Sequence, residues 1–139
     1  MTNLQLSKHF NSSEFDCHGG DECGCGGRGD RMHPILIKLL EKWRDDAGGY
    51  PFHINSGYRC PIHNSHVEGS ASYSQHMAWT AADVACPPEL DIWEFAWYAE
   101  HTEVDGYRFD GIGVYTPDYG NFIHVDVRDG GRHGGWYRW

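Results

Sequence analysis

Apolar positions recur along the chain with two different periods, and the longer period predicts two helices. Five apolar residues between positions 31 and 47 repeat at spacings of three and four, opposite charged residues: Ile35, Leu36, Leu39, Leu40 and Trp43. This pattern predicts an amphipathic helix that Gly48-Gly49 ends. Pro87-Pro88 predicts the start of a second helix, which extends to about residue 101. Its expected apolar face contains Leu90, Trp93, Ala96 and Trp97.

The shorter period, of two residues, belongs to strands, and short apolar runs predict them at residues 51–56, 81–85, 111–115 and 122–128. In the last of these, Ile123, Val125 and Val127 alternate with His124, Asp126 and Arg128. Because successive side chains of a strand point to opposite faces, the β-branched residues face the core and the polar residues share the other face. A turn at residues 117–120 separates the last two strands.

The remaining segments are polar or rich in glycine. Asn11 and Glu14 fit a capping box at the start of a short helix. Residues 16–30 form a loop rich in Gly and Cys, and residues 57–80 are expected to be irregular. No repeat or linker divides the chain. We therefore expect one α+β domain over residues 1–139, with two main helices and long loops packed on a small, mostly antiparallel sheet.

Charge and hydropathy exclude several classes of partner. The net charge is −9, and the eleven Lys and Arg residues are scattered, so we expect no nucleic-acid binding. No apolar stretch approaches the roughly 20 residues that cross a bilayer, so membrane insertion is not expected. The N-terminus lacks a basic-then-apolar pattern, which predicts that there is no signal peptide. A monomer is the default expectation.

Two histidines and a carboxylate are candidate metal ligands. Asp83 lies in an apolar run, where a charge is costly unless it is paired or bound to a metal. A turn between His76 and Asp83 would let both share an ion, and His124 lies on the polar face of its strand. Two histidines and one carboxylate form the ligand set of some catalytic zinc sites. The ordinary alternative, a salt-bridged or capping Asp with surface histidines, stays open from spacing alone.

Three blocks of sequence carry a family resemblance: INSGYRCPIHN (54–64), SQHMAWTAADV (74–84) and GIGVYTPDYGNFIHVDVR (111–128). They resemble the zinc D-Ala-D-Ala carboxypeptidases and endopeptidases, a family that shares its fold with hedgehog domains and other LAS-type metallopeptidases. The similarity is greatest to a compact subgroup often found in phages and prophages. It extends in order from about residue 10 to the terminal Arg-Trp.

The resemblance implies roles for individual residues. His76, Asp83 and His124 match the three zinc ligands. Arg59 matches an arginine that stabilises the negative charge on the carbonyl oxygen when water attacks an amide. Ser74 is expected to orient the first ligand or to contact substrate, and Tyr58 to contact substrate.

The chain departs from the family pattern at two places. Trp79 occupies a position that is usually Gly, so the local turn is expected to differ if that position needs a positive φ. Relatives have a general base in one of two places: a Glu at the position of Asn121, or a His at the position of Phe122. Asp126 is the favoured replacement as general base, with Asp118 as the alternative. Asp126 could instead orient a metal ligand.

The five cysteines cannot all pair within one chain, which argues against an extracellular disulfide framework. Cys17, His18, Cys23 and Cys25 leave three alternatives open: a structural metal site, a disulfide or free thiols. Cys60 and Cys86 are expected to be small packing residues. The other histidines are expected on the surface or in structural roles, with a substrate contact open for His53, His63 and His66; the set is His9, His18, His33, His53, His63, His66, His101 and His133.

The expected function is zinc-dependent hydrolysis of a D-Ala-containing peptide bond in peptidoglycan stem peptides or cross-links. The subgroup suggests a phage or prophage lysis enzyme, which would act from the host cytoplasm after release to the wall, or from the virion. The alternative is a zinc-containing module that binds peptidoglycan or a protein with little or no activity.

Overall fold

A computed structural model of the chain describes residues 3–20, 23–67, 74–132 and 137–139. The helices are α1 (Pro34–Asp46), α2 (Pro61–His66) and α3 (Ile92–His101). The strands are β1 (Ile54–Ser56), β2 (Ala81–Ala85), β3 (Gly111–Tyr115), β4 (Phe122–Asp126) and β5 (Tyr137–Arg138). Short 3-10 helices occupy Ser12–Phe15, Gly29–Arg31, Gln75–Ala78 and Pro117–Tyr119.

The five strands form one mixed sheet in the order β1-β2-β4-β3-β5. All neighbouring pairs are antiparallel except β3 and β5, which run parallel. The central strand is β4, and its His124 lies opposite Asp83 on one side and Gly113 on the other. The predicted α+β class and the mostly antiparallel sheet are confirmed.

The core centres on Trp43 of α1, which is fully buried. Its ring stacks on Phe95 of α3 with a centroid distance of 4.3 Å and meets Phe52 edge-on at 4.9 Å. The indole N–H donates a hydrogen bond to the carbonyl oxygen of Phe95 at 3.1 Å, so its only polar atom is satisfied. Helices α1 and α3 are thereby joined over the face of the sheet that carries Ile123 and Val125.

Both main helices begin later than predicted, because a side chain caps each one. His33 accepts a hydrogen bond from the N–H of Ile35, so α1 begins at Pro34. Asp91 and Glu94 form a capping box, so α3 begins at Ile92. Pro87-Pro88 lies in the preceding turn.

The predicted apolar face of α3 is wrong at both tryptophans, although Leu90 and Ala96 do pack against the core. Trp93 and Trp97 are 61% and 57% exposed, and the buried residues are instead Ile92, Phe95 and Ala99. The helix is apolar almost all round, so periodicity alone could not identify the face that packs on the core.

The stretch at 57–80 is more regular than predicted. It contains α2 and the 3-10 helix Gln75–Ala78, while residues 68–73 lie outside the described part of the chain. Pro61 at the first position favours α2, because its missing N–H would have no partner there. Among the described residues, no helix is both long and apolar enough to cross a membrane.

The corrected packing predicts unequal effects for two tryptophans. Trp43→Ala should lower the free energy of unfolding by about 3–5 kcal/mol, because it leaves a large cavity between α1 and α3. Trp93→Ala should change it by no more than about 0.5 kcal/mol, because that ring is mostly in solvent. Denaturant unfolding followed by far-ultraviolet circular dichroism in the presence of zinc measures both. Equal losses in the two variants would contradict the observed helix face.

Candidate functional site

The structure brings His76, Asp83 and His124 together from the 3-10 helix Gln75–Ala78, β2 and β4. Nδ1 of His124 lies 2.9 Å from Oδ1 of Asp83, and Nε2 of His76 lies 3.2 Å from the same oxygen. One ligand atom from each residue lies within 4.8 Å of the other two. Both histidines are buried, and the side chain of Asp83 is 16% exposed.

The ring of His76 is oriented by the backbone of Gly57. Its Nδ1 lies 2.7 Å from the carbonyl oxygen of Gly57, which can only accept a hydrogen bond. Nδ1 therefore carries a proton, and Nε2 faces Asp83. Residue 57 must be Gly because a Cβ there would lie 2.6 Å from the Cα of Phe15.

The ring of His124 is oriented by Asp126, which is fully buried. Nε2 of His124 lies 2.8 Å from Oδ2 of Asp126, whose two oxygens also accept hydrogen bonds from the guanidinium of Arg128 at 2.9 and 2.7 Å. Nε2 is the donor to this carboxylate, and Nδ1 faces Asp83. Gly111, opposite Asp126, leaves room for the carboxylate, which a Cβ there would overlap.

In this cluster, hydrogen bonds shift the pKa values of the ionisable side chains in the direction opposite to the effect of burial. Burial alone would raise the pKa of Asp83, but hydrogen bonds from His124 and His76 hold it well below its usual range. Asp126 is likewise desolvated, yet His124 and Arg128 lower its pKa to about 2. Burial opposes the charged form of His124, but the hydrogen bonds to Asp126 and Asp83 raise its pKa overall. The two carboxylates are therefore ionised.

The three residues fit a zinc ion. Bonds of about 2.0–2.2 Å to nitrogen and oxygen place the ligand atoms of a tetrahedral site roughly 3.3 Å apart, close to the separations of 3.2 and 2.9 Å in the structure. Each histidine also has its second nitrogen bound to a fixed acceptor, as metal-ligating histidines almost always have. A cation would take the place of the proton that Nδ1 of His124 must otherwise share with Asp83. Three ligands leave a fourth position for water or substrate.

Arg59 lies beside this cluster. Its Nη2 donates a hydrogen bond to Oγ of Ser74 at 3.3 Å, and Ser74 also accepts the backbone N–H of His76 at 3.2 Å. Burial lowers the pKa of Arg59, and the charge of Asp83 opposes that shift. Its Nε is buried without a hydrogen-bond partner among the described residues, so the guanidinium retains a donor for a ligand.

Trp79 and Tyr58 pack against each other. Trp79 adopts the left-handed conformation (φ 60°) that favours Gly. Its ring stacks on Tyr58 at 4.3 Å and its indole N–H donates to the carbonyl oxygen of Arg28 at 2.9 Å. These contacts offset the backbone strain. Tyr58 is only 7% exposed beneath Trp79, so its ring is positioned for packing more than for substrate contact.

The two candidate bases occupy unlike positions. Both oxygens of Asp126 are engaged behind His124, on the side of the ring away from Asp83. Asp118 is exposed in the 3-10 helix Pro117–Tyr119, between β3 and β4. Of the two roles left open for Asp126, this geometry favours the orientation of a metal ligand.

Sequence reasoning did not find two aromatic residues that border the site. The ring of Trp139 lies 5.0 Å from that of His124, and its indole N–H donates to the hydroxyl of Tyr115 at 2.9 Å. Trp139 reaches this position because β5 pairs with β3, and nothing in the local sequence indicates that pairing.

His53 and His66 are exposed, and His133 lies outside the described residues.

Comparison with known proteins agrees with this geometry. A search of curated proteins gives no match. The sequence profile of the family described as Peptidase M15 matches residues 8–126, a span that contains His76, Asp83 and His124. Members of that family are zinc-dependent metallopeptidases. Because the match covers most of the chain, we conclude that the chain belongs to the peptidase M15 family.

Proposed function

We propose that this chain is a zinc peptidase that cleaves a D-Ala-containing bond in the stem peptides or cross-links of peptidoglycan. The observation that carries the proposal is the convergence of His76, Asp83 and His124 beside the guanidinium of Arg59. Family membership supports peptide-bond hydrolysis. The D-Ala bond rests on the sequence resemblance of the three motif blocks.

In this proposal, His76, Asp83 and His124 hold the zinc ion. A zinc ion in such a site lowers the pKa of water to about 7 and polarises a carbonyl group. Gly57 and Asp126 keep the two imidazoles in the tautomers that present a lone pair to the ion. The protein therefore holds the ligands in place before the ion binds, which lowers the cost of reorganisation.

Arg59 is proposed to stabilise the oxyanion that forms when water attacks the scissile carbonyl. Ser74 holds one end of the guanidinium, while the buried Nε–H has no partner within the described residues. A donor fixed in a poorly solvated site interacts with developing charge more strongly than the same donor in water. Ser74 in this proposal positions both Arg59 and His76, and any contact of its own with substrate is secondary.

Proton transfer from water requires a base, and Asp118 is the candidate that remains. Asp126 is proposed to act as a positioning residue, because its two oxygens are already bound to His124 and Arg128. Asp118 is exposed and carries no competing hydrogen bond among the described residues. It lies in the turn that connects the strand of His124 with the strand of Tyr115.

The biological setting follows from the same resemblance. We propose a phage or prophage lysis enzyme that reaches the wall from the host cytoplasm or is carried by the virion, acting as a monomer without nucleic-acid partners. The net charge of −9 gives no attraction to an anionic wall, so binding would depend on local contacts in the cleft.

A second candidate is a zinc-containing module that binds the wall without cutting it. The observation in its favour is that Asn121 and Phe122 occupy the positions where relatives have a Glu or a His as general base. Neither residue can accept a proton from water. A pure binder would sediment with sacculi and release no peptide.

The peptidase proposal predicts that purified sacculi release soluble peptides, that a chelator stops the release and that zinc restores it. Arg59→Ala should lower kcat by about 10²–10³-fold with bound zinc unchanged, because one oxyanion donor is lost. Arg59→Lys should recover part of the rate, since it keeps the charge without the planar fork. Mass spectrometry of the released peptides identifies the bond.

Two outcomes count against this proposal. No release from any wall type by the zinc-loaded protein, together with sedimentation on sacculi, favours the binding module. Full activity of Arg59→Ala removes the oxyanion role.

Asp126 and Asp118 are separated by measuring zinc affinity and activity on the same variants. Asp126→Asn should weaken zinc binding about 10–100-fold, since the amide no longer holds the Nε2–H of His124 as a carboxylate does. Asp118→Asn should leave zinc affinity unchanged and lower kcat. Competition with a chromogenic chelator measures affinity, and peptide release measures kcat. Unchanged zinc affinity in Asp126→Asn would favour the base role for Asp126 instead.

A further inference from the structure

Four of the five cysteines meet at one place, away from the histidine–aspartate cluster. Cys17, Cys23 and Cys25 come from the glycine-rich loop, and Cys60 comes from the turn before α2. Their sulfur atoms all lie within 4.8 Å of one another. Cys17 and Cys60 are buried, and Cys23 and Cys25 are partly buried. His18, a candidate from the sequence, is exposed and is not a member of this group.

The distances between the sulfurs match a tetrahedral metal site. The separations are 3.9 Å between Cys17 and Cys23, 3.8 Å between Cys17 and Cys60, and 3.4 Å between Cys23 and Cys25. Zinc–sulfur bonds of about 2.3 Å give sulfur separations of roughly 3.8 Å in a tetrahedron. A disulfide would need about 2.05 Å.

Backbone N–H groups point at three of the four sulfurs. Cys60 accepts a hydrogen bond from the N–H of His63 at 3.5 Å. The backbone of Cys25 lowers the pKa of Cys23, and the backbone of Gly27 partly opposes the rise in the pKa of Cys25 that burial causes. Such donors stabilise thiolates, which are the form that binds metal. The backbone of the loop also lies close to the sulfur of Cys23, since a Cβ on Gly19 would be 2.5 Å from that atom. Its backbone is shaped around the sulfur atoms.

We propose that Cys17, Cys23, Cys25 and Cys60 bind a structural zinc ion, separate from the ion held by His76, Asp83 and His124. Four thiolates close the coordination sphere, which is the arrangement of structural zinc sites and leaves no position for substrate. This site does not depend on the proposed peptidase activity.

The ion would fasten the glycine-rich loop to the segment that carries Arg59. Cys60 follows Arg59 directly, and the N–H of Tyr58 donates to the carbonyl oxygen of Phe15 at 2.8 Å. The N–H of Cys17 donates to the carbonyl oxygen of Gly27 at 2.9 Å and closes the loop on itself. Loss of the ion should therefore loosen this segment and lower stability, because zinc binding contributes to folding.

The test uses the full chain, purified with zinc under reducing conditions, and three single variants. Elemental analysis should find about two zinc ions in the wild type, and about one in both His76→Ala and Cys25→Ser. After exchange for Co²⁺, His76→Ala should keep the intense thiolate-to-cobalt charge-transfer absorption in the near ultraviolet. Cys25→Ser should lose most of it.

Cys86→Ser is the matched control. Cys86 is buried near the carbonyl oxygens of Pro87 and Leu90, outside the group of four, so its variant should match the wild type in zinc content and cobalt spectrum. If Cys25→Ser fails to fold, the thiolate-to-cobalt band of the wild type still decides the test, because it reports thiolate ligation without any variant. The proposal is overturned if wild-type protein shows no thiolate-to-cobalt band, or if its mass shows loss of thiol hydrogens to disulfides. An inactive protein that still shows the band would remove the peptidase proposal alone.

Discussion

The structure depends on a buried run of hydrogen bonds that begins at the carbonyl of Gly57 and ends at Arg128. Between them lie His76, Asp83, His124 and Asp126, each bound to the next. Ionised groups in a sheet interior are costly unless every one is paired. Strands β2 and β4 and the turn before β2 must therefore be placed so that these hydrogen bonds form and the apolar core also packs.

Small residues make that placement feasible. Gly111 and Ala81 lie opposite Asp126 on the neighbouring strands, and Gly113 lies opposite His124. A larger side chain at position 111 would displace the carboxylate of Asp126. The polar face of the sheet thus carries Asp83, His124 and Asp126 beside these short residues, while the other face packs Val84, Ile123 and Val125 against the helices.

The sequence predicted those parts that depend on local order. Alternation in residues 122–128 separated the core face from the polar face correctly, and the motif blocks indicated the family. It could not predict the packed face of α3, because Trp93 and Phe95 are both apolar and only the tertiary fit to Trp43 distinguishes them. Nor could it decide how Asp126 would be used, since strand geometry put that residue on the polar face without revealing that Arg128 would bind both of its oxygens. Cys60 and Trp139 reached their neighbours through contacts distant in sequence.

The segment Tyr58–Arg59–Cys60 shows how such distant contacts define a single donor. Tyr58 is covered by Trp79, the backbone N–H of Arg59 donates to the carbonyl oxygen of His76 at 3.2 Å, and Cys60 lies among the loop cysteines. Two of these contacts come from the short segment that contains His76 and Trp79, and the third comes from the glycine-rich loop, so no one of them fixes the guanidinium alone. A donor that is to meet developing charge has to be held before the charge appears, since reorganisation during the reaction would cancel its effect. The strain accepted at Trp79 and the shape of the glycine-rich loop are consistent with that demand: both restrict a short, irregular segment that has little regular structure of its own.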